Sequence, residues 1–192
     1  MKHTIIKTFL VIVSLLILAI PAAWCASPPV VGGTIPEFSL MSPKDSAERD
    51  YLGLSFLSRS FRVTNLNTQM AIIEIFNMYC PYCQAEAPNV NLLYEKINAN
   101  RSLKGKIKII GIGVGNTTFE VGVFKNKYHV PFPLFPDDDL KIHKLMGEVR
   151  TPFFIVVKLN GDGKHEVIFS KPGALGPVDP FLAEMITRSG LK

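Results

Sequence analysis

Cysteine is scarce in this chain: Cys25, Cys80 and Cys83 are the only three among 192 residues. So few cannot build the disulfide framework that holds small secreted domains together. Histidine is nearly as rare, with four copies, and His129, His143 and His165 stand apart from one another and from the cysteines. No second Cys or His pair offers the four ligands of a zinc site, so no metal is expected and these histidines read as surface residues. Covalent haem would need a histidine directly after the second cysteine, and Gln84 is there. Charge is also modest, at +5, with no Lys/Arg cluster interleaved with aromatics, so nothing suggests nucleic acid. Internal repeats, heptads and low-complexity tracts are missing.

One long apolar run is present, at the N-terminus. Lys2 and Lys7 precede residues 9–20, and Pro21-Ala22-Ala23 then breaks the run with small residues. This is the layout of a secretory signal peptide, assigned to residues 1–26. Ala23 and Cys25 make a passable small-x-small pair for cleavage near Cys25 or Ala26, although the bulky Trp24 blurs the position. Trp24 also stands where a lipoprotein signal wants a small residue, which makes lipid attachment at Cys25 the weaker reading. No charge falls between Lys7 and Glu37, so an uncleaved run is long enough to span a bilayer. Membrane contact is expected only in that case. The expected location is extracytoplasmic, in the periplasm or cell envelope. Removal of the segment takes Lys2 and Lys7 and lowers the charge from +5 to +3, leaving Cys80 and Cys83 alone. Two cysteines one turn apart cannot staple a fold; in an oxidising compartment they make a working pair.

Their setting sharpens this. Residues 70–76 read Met-Ala-Ile-Ile-Glu-Ile-Phe, a strand buried on both faces. After Cys80-Pro81-Tyr82-Cys83 come Val90, Leu93 and Ile97 at helical spacing, in a helix to about Ala99. A Cys at a strand-to-helix junction faces unpaired backbone N–H groups and the positive end of the helix dipole. Both favour the thiolate, the form that attacks disulfides. Cys80 is therefore the expected nucleophile, with a pKa in the ~4–7 range of such motifs. Cys83, one turn inside, is expected to hold its proton longer and to resolve the mixed disulfide. No cofactor is needed for this chemistry.

Other elements follow from local signals. Residues 33–40 are extended, residues 42–58 are polar and carry no assignment, and residues 61–64 alternate like a half-exposed strand. Residues 106–112 form another strand, and Thr117 with Glu120 makes a capping box for a helix through Phe124 and Tyr128. Asp137, Asp138 and Asp139 cap a short helix ending near Gly147. Residues 153–159 and 165–170 form a hairpin, and Asp179 with Pro180 opens a last helix closed by Gly190. Gly111-Ile112-Gly113-Val114-Gly115-Asn116 follows a strand, but Asn116 stands where a dinucleotide fingerprint wants glycine. The three aspartates lack the alternating ligands of a calcium loop.

Strands alternating with helices, then a hairpin and a helix, give an α/β protein with a central mixed sheet and helices on both faces. With Cys-x-x-Cys after the first buried strand, the chain resembles the thioredoxin fold, and more narrowly the secreted TlpA/ResA-type thioredoxins of the redoxin superfamily. The resemblance covers residues 33–190, taken as one thioredoxin-like domain with an N-terminal redoxin-type extension. It rests on Gly33-Thr34-Ile35-Pro36-Glu37-Phe38, Glu74-Ile75-Phe76, the run from Cys80 to Pro88, and residues 124–133 before the family's next strand. Arg150-Thr151-Pro152-Phe153-Phe154 stands where the family carries its cis-proline loop.

The resemblance implies roles for several residues. Thr151-Pro152 is expected to be cis, facing the cysteines and exposing the Thr151 backbone to a substrate strand; the alternative is a trans-proline opening an edge strand. Pro81 and Tyr82 complete the substrate-binding set. This dipeptide also occurs in glutaredoxins, which suggests a potential above that of thioredoxin, about −200 to −230 mV. Glu74, six residues before Cys80, matches a strand position that in thioredoxins often holds a buried acid handling the proton of the second cysteine. Many TlpA-like chains have a neutral residue there. Its burial should raise its pKa, unless a polar neighbour merely accommodates it. Glu86 resembles the acid that TlpA/ResA proteins place under the active site; otherwise it is an ordinary first-turn helix acid. Pro88 reads as a structural kink. A peroxiredoxin would carry Thr or Ser three residues before its reactive cysteine, where this chain has Asn77.

The expected function is an exported thiol–disulfide oxidoreductase that reduces protein disulfides and is recharged by a membrane electron donor of the thioredoxin-recycling type. An oxidase or isomerase with the same site, or a thiol-dependent chaperone holding unfolded chains or apocytochromes near Tyr79, Tyr82 and Phe153, are the alternatives.

Overall fold

The computed structural model describes residues 26–161 and 164–191; the expected signal peptide lies almost wholly outside them. Among the described residues the fold is carried by β1 (Leu40–Met41), α1 (Ser46–Leu52), β2 (Ser60–Phe61), β3 (Met70–Phe76), α2 (Pro81–Ala99), β4 (Ile107–Val114), α3 (Thr118–Lys127), β5 (Leu134–Asp137), α4 (Lys141–Leu145), β6 (Phe153–Leu159), β7 (His165–Pro172) and α5 (Val178–Ser189).

Five strands form one sheet in the order β5-β4-β3-β6-β7. β3 pairs parallel with β4 and antiparallel with β6, so the sheet is mixed and β3 lies at its centre. Every residue of β3 is buried, which is why its sequence shows no polar alternation. Alternate side chains enter two cores. Met70, Ile72 and Phe76 pack with Val90 and Leu93 of α2, Phe124 of α3 and Met185 of α5. Ala71, Ile73 and Ile75 meet Ile35 and Phe38, Leu52 of α1 and Ile142 of α4 on the other face. Helices thus cover both faces, as the sequence led us to expect.

Several expected boundaries move. The strand read over 61–64 is only β2, because the chain turns into a 3-10 segment at Val63–Asn65. The unassigned polar stretch contains α1, capped by the Asp45 side chain accepting from Glu48 N–H (3.0 Å) and ended by Gly53 in the left-handed region. α4 starts after Leu140, not at the aspartates. Asp137 still caps it from a distance, its carboxylate accepting from the Ile142 and His143 N–H groups (2.9 and 2.8 Å). α5 begins at Val178, with Pro177 as the N-cap and Asp179 within the first turn. β4 runs two residues beyond the expected end, to Val114.

An N-terminal arm lies along β7: the Gly32 N–H donates to Val167 O and the Val167 N–H to Gly33 O, both at 2.8 Å. His165, read as a surface residue, is half-buried and accepts from the Ile35 N–H (3.2 Å), fixing the arm's end. Gly147 has φ +79°, and a Cβ there would stand 2.4 Å from Pro28 N, so only glycine lets the arm seat.

Candidate active site

The loop between β3 and α2 is held by amides. Asn77 Nδ2 donates to Val114 O (2.7 Å), while Asn77 Oδ1 accepts from the Tyr79 N–H (2.8 Å) and its carbonyl from the Cys80 N–H (3.0 Å). Asn116, fully buried at the end of β4, accepts from the Met78 N–H (2.9 Å), and Gln84 Nε2 donates to Met78 O (2.8 Å). These amides were not singled out as site residues from the sequence, because their partners lie on another strand or come from backbone.

Cys80 is the N-cap of α2, with extended backbone (φ −76°, ψ 115°) and Pro81 next to it in the first turn. No side-chain oxygen caps the helix, so its first N–H groups are left to the sulfur. Partial burial pushes the Cys80 thiol up. Hydrogen bonds from the Thr151 side chain, the Cys83 backbone and thiol, and the Tyr82 backbone outweigh this, and the net pKa is lowered. Cys83 is fully buried. Burial first, then its hydrogen bond to Cys80 and the charges of Cys80 and Glu74, push its pKa up to about 12 against a lowering contact from the Asn77 backbone. The two sulfurs are therefore split: a partly exposed sulfur with a lowered pKa stands beside a buried thiol with a raised one. Both are free thiols here.

The Thr151–Pro152 peptide is cis. Its loop faces the pair, with Thr151 O 3.4 Å from Cys80 Sγ. Together with Tyr82, Arg150 and Gly173, the loop lines a groove of about 450 Å³.

Two buried acids lie near the site: Glu74, whose charge acts on Cys83, and Glu86, which lines the groove. Glu74, opposite Gly111 and Phe154 in the sheet, is 2 % exposed, and its Oε1 is buried without a hydrogen-bond partner. Burial, and next the charge of Glu86, push its pKa up to about 8. Among the described residues no polar group hydrogen-bonds this oxygen. Glu86 is buried, in the second turn of α2, so it is not an ordinary first-turn acid. Its Oε1 accepts from the Leu175 N–H (3.0 Å) and Asn89 Nδ2 (2.8 Å), and Asn89 also donates to Gly176 O (2.9 Å). Glu86 thereby ties α2 to the loop that borders the groove. Pro88 sits inside α2 without ending it.

Tyr79 and Tyr82 are exposed, as the chaperone reading requires, but Phe153 is buried in β6. The expected apolar surface is smaller by that ring. The Tyr79 hydroxyl donates to Glu120 Oε1 (2.5 Å), a link between the active-site loop and the α3 cap not foreseen from sequence.

The sequence profile of the AhpC/TSA family matches residues 31–171, which span the cysteine motif, Glu74 and the cis-proline loop. The chain belongs to the AhpC/TSA family. Among solved structures it is similar to a secreted Mycobacterium tuberculosis disulfide oxidoreductase homologous to E. coli DsbE: 20 % identity, TM-score 0.52, covering 80 % of this chain and 94 % of that one. StoA from Bacillus subtilis matches at 16 % identity and TM-score 0.53, covering 68 % and 92 %. The thioredoxin domain of a Bacteroides vulgatus thiol-disulfide oxidoreductase matches at 10 % and 0.58, covering 85 % and 99 %. At these identities the likeness establishes the fold, and the fold of this AhpC/TSA member is that of thioredoxin. No curated protein matches the chain.

Proposed function

We propose that this AhpC/TSA protein is an exported thiol–disulfide oxidoreductase that reduces protein disulfides. The observation that carries the reading is the split between the two sulfurs: Cys80 at a helix N-cap with a lowered pKa, and Cys83 buried behind it with its pKa near 12. Such a pair does exchange chemistry rather than structural work.

The Cys80 thiolate attacks one sulfur of a substrate disulfide, forming a mixed disulfide and releasing the first substrate thiolate, which takes up a proton. Cys83 then loses its proton and attacks Cys80 Sγ. The second substrate thiolate leaves, a Cys80–Cys83 disulfide remains, and two electrons have passed to the substrate. Glu74 is the group that takes the Cys83 proton: with a pKa near 8 it exchanges protons around neutrality, and its free Oε1 has no competing partner. Glu86 positions the groove loop and, through its charge, tunes Glu74. Thr151 and Pro152 hold the substrate strand, with Pro81 and Tyr82 along its path.

A dithiol donor must return two electrons. In an oxidising compartment that donor is membrane-borne, of the thioredoxin-recycling type, and residues 1–26 are the export signal, with residues 33–190 the working domain. Peroxidase chemistry is disfavoured by Asn77, whose amide is committed to the loop and which supplies no hydroxyl three residues before Cys80. Exposed Tyr79 and Tyr82 favour client binding as a second activity of the same face.

Turnover of a disulfide-bonded protein by wild type and by Cys80→Ser tests the reading; equal rates would sink it. The Cys80–Cys83 potential, with the redox state found in the cell, sets the direction. A potential below the compartment's poise in a reduced protein means a reductase, and one above it in an oxidised protein means an oxidase or isomerase.

A further inference from the structure

Arg150 stands at the rim of the groove beside the cysteines, exposed, and its side chain has no ion pair or hydrogen bond among the described residues. Glu86, a carboxylate lining the same groove, makes no ion pair with it among the described residues; Glu86 is buried and accepts from Leu175 and Asn89. On its other side Arg150 lines a second groove of about 630 Å³ with Pro29, Val30, Val31 and Phe153. The two grooves share Arg150 and Pro172 as a common wall. The second groove depends on the seated N-terminal arm, held by Gly32 and Gly33 on Val167 and by the space over Gly147. Val30 and Val31 stay 66 % and 56 % exposed on that fixed arm. Glu148 also lines this groove but makes no ion pair with Arg150.

We propose that the substrate of the cysteine pair is an extended polypeptide segment with an acidic side chain beside its disulfide cysteine, the carboxylate resting on Arg150 and an apolar residue lying farther along over Val30 and Val31. The proposal rests on the reductase reading above. An unpaired guanidinium at a groove rim fits a carboxylate with two parallel hydrogen bonds. A small disulfide occupies the first groove only. An extended chain, at about 3.3 Å per residue, reaches the second within a few residues. The redox step is unchanged: recognition adds no bond and no electron.

The test is a single turnover of the pre-reduced protein with disulfide-linked synthetic peptides identical except for Asp, Asn or Lys beside the cysteine. Wild type is expected to reduce the Asp peptide about three- to tenfold faster than the Lys peptide at low salt, the scale of exposed charge pairs. The gap narrows as salt is raised. In Arg150→Gln the Asp-to-Lys ratio falls to about one, and in Arg150→Glu it inverts. Comparing ratios within each variant removes any change in overall rate or fold. Changing a distal Ser to Leu in the peptide is expected to speed wild type and not Val30→Ser/Val31→Ser. Equal rates for the Asp and Lys peptides, in a wild type that reduces hydroxyethyl disulfide, overturn this proposal alone. Failure to reduce any of these disulfides overturns the reductase reading as well.

Discussion

Glu74 and Glu86 are buried on the same side of the sheet, and the charge of Glu86 is the second reason, after burial, that Glu74 keeps its proton up to about pH 8. One acid is bonded to a loop and the other is left with a bare oxygen. That asymmetry underlies the roles proposed for them: Glu86 to hold the groove loop, and Glu74 to exchange protons.

Glu74→Gln should therefore slow the Cys83 step by about tenfold or more, since general acid–base help is worth ~10²–10⁴-fold. Cys80 should still be alkylated at a similar rate. Stopped-flow measurement of mixed-disulfide resolution checks this. If the variant resolves as fast as wild type, Glu74 is only a structural acid, and Glu86 or water carries the proton.

The same residue makes stability depend on pH. Unfolded, Glu74 titrates near its ordinary 4.5; folded, near about 8. Between these values the folded state binds more protons, so the stability it contributes is full below about pH 4.5 and is lost as pH rises through about 8. The loss is at most about 5 kcal/mol, and smaller to the extent that the site relaxes or admits water. Glu74→Gln should flatten this limb in urea melts across the window. A wild-type limb as flat as the variant's would show that Glu74 is ionised in the fold.

Iodoacetamide near neutrality should label Cys80 and spare Cys83. Cys80 has a lowered pKa and partial exposure, while Cys83 is buried with a pKa near 12. Mass mapping of the reduced protein reads this directly, and preferential labelling of Cys83 would reverse the assignment of nucleophile.

Gly113 supports the site from below. A Cβ there would lie 2.9 Å from Val121 Cγ2, 3.1 Å from Phe76 Cζ and 3.2 Å from Asn116 Cβ. Gly113→Ala should cost about 1–3 kcal/mol by overpacking and should disturb Asn116, the acceptor for the Met78 N–H. Thermal melts with Cys80 alkylation rates would show both effects; an unchanged melting temperature would mean that Val121 and Phe76 give way freely.

This glycine also shows what the sequence does and does not disclose. Gly111 and Gly113 look like part of a nucleotide fingerprint, yet their place is set by Leu134, Phe76 and Val121 packing against β4. β3, α2, the Thr117–Glu120 capping box and the β6–β7 hairpin are legible because each carries a local signal: a run of buried residues, a helical period, a cap or a turn. α1 is not, since Leu52 alone among its residues is buried and no apolar period forms. α4 is misplaced because its cap reaches from Asp137, across Leu140 in the left-handed region. In the site, the cysteines, the cis Pro152 and the buried Glu74 are legible. Asn77, Asn116 and the Tyr79–Glu120 link are not, because each joins segments some 40 residues apart (37 to 41).

Trapping with Cys83→Ser reads the proposed thiol–disulfide exchange at its covalent step. Mixed with a disulfide-bonded protein, this variant should accumulate a covalent adduct through Cys80, seen by mass spectrometry and released by dithiothreitol. Wild type should pass through the adduct to a Cys80–Cys83 disulfide and reduced substrate, and Cys80→Ser should form neither. An adduct that forms in Cys80→Ser, or substrate reduced by Cys80→Ser at the wild-type rate, would contradict the account.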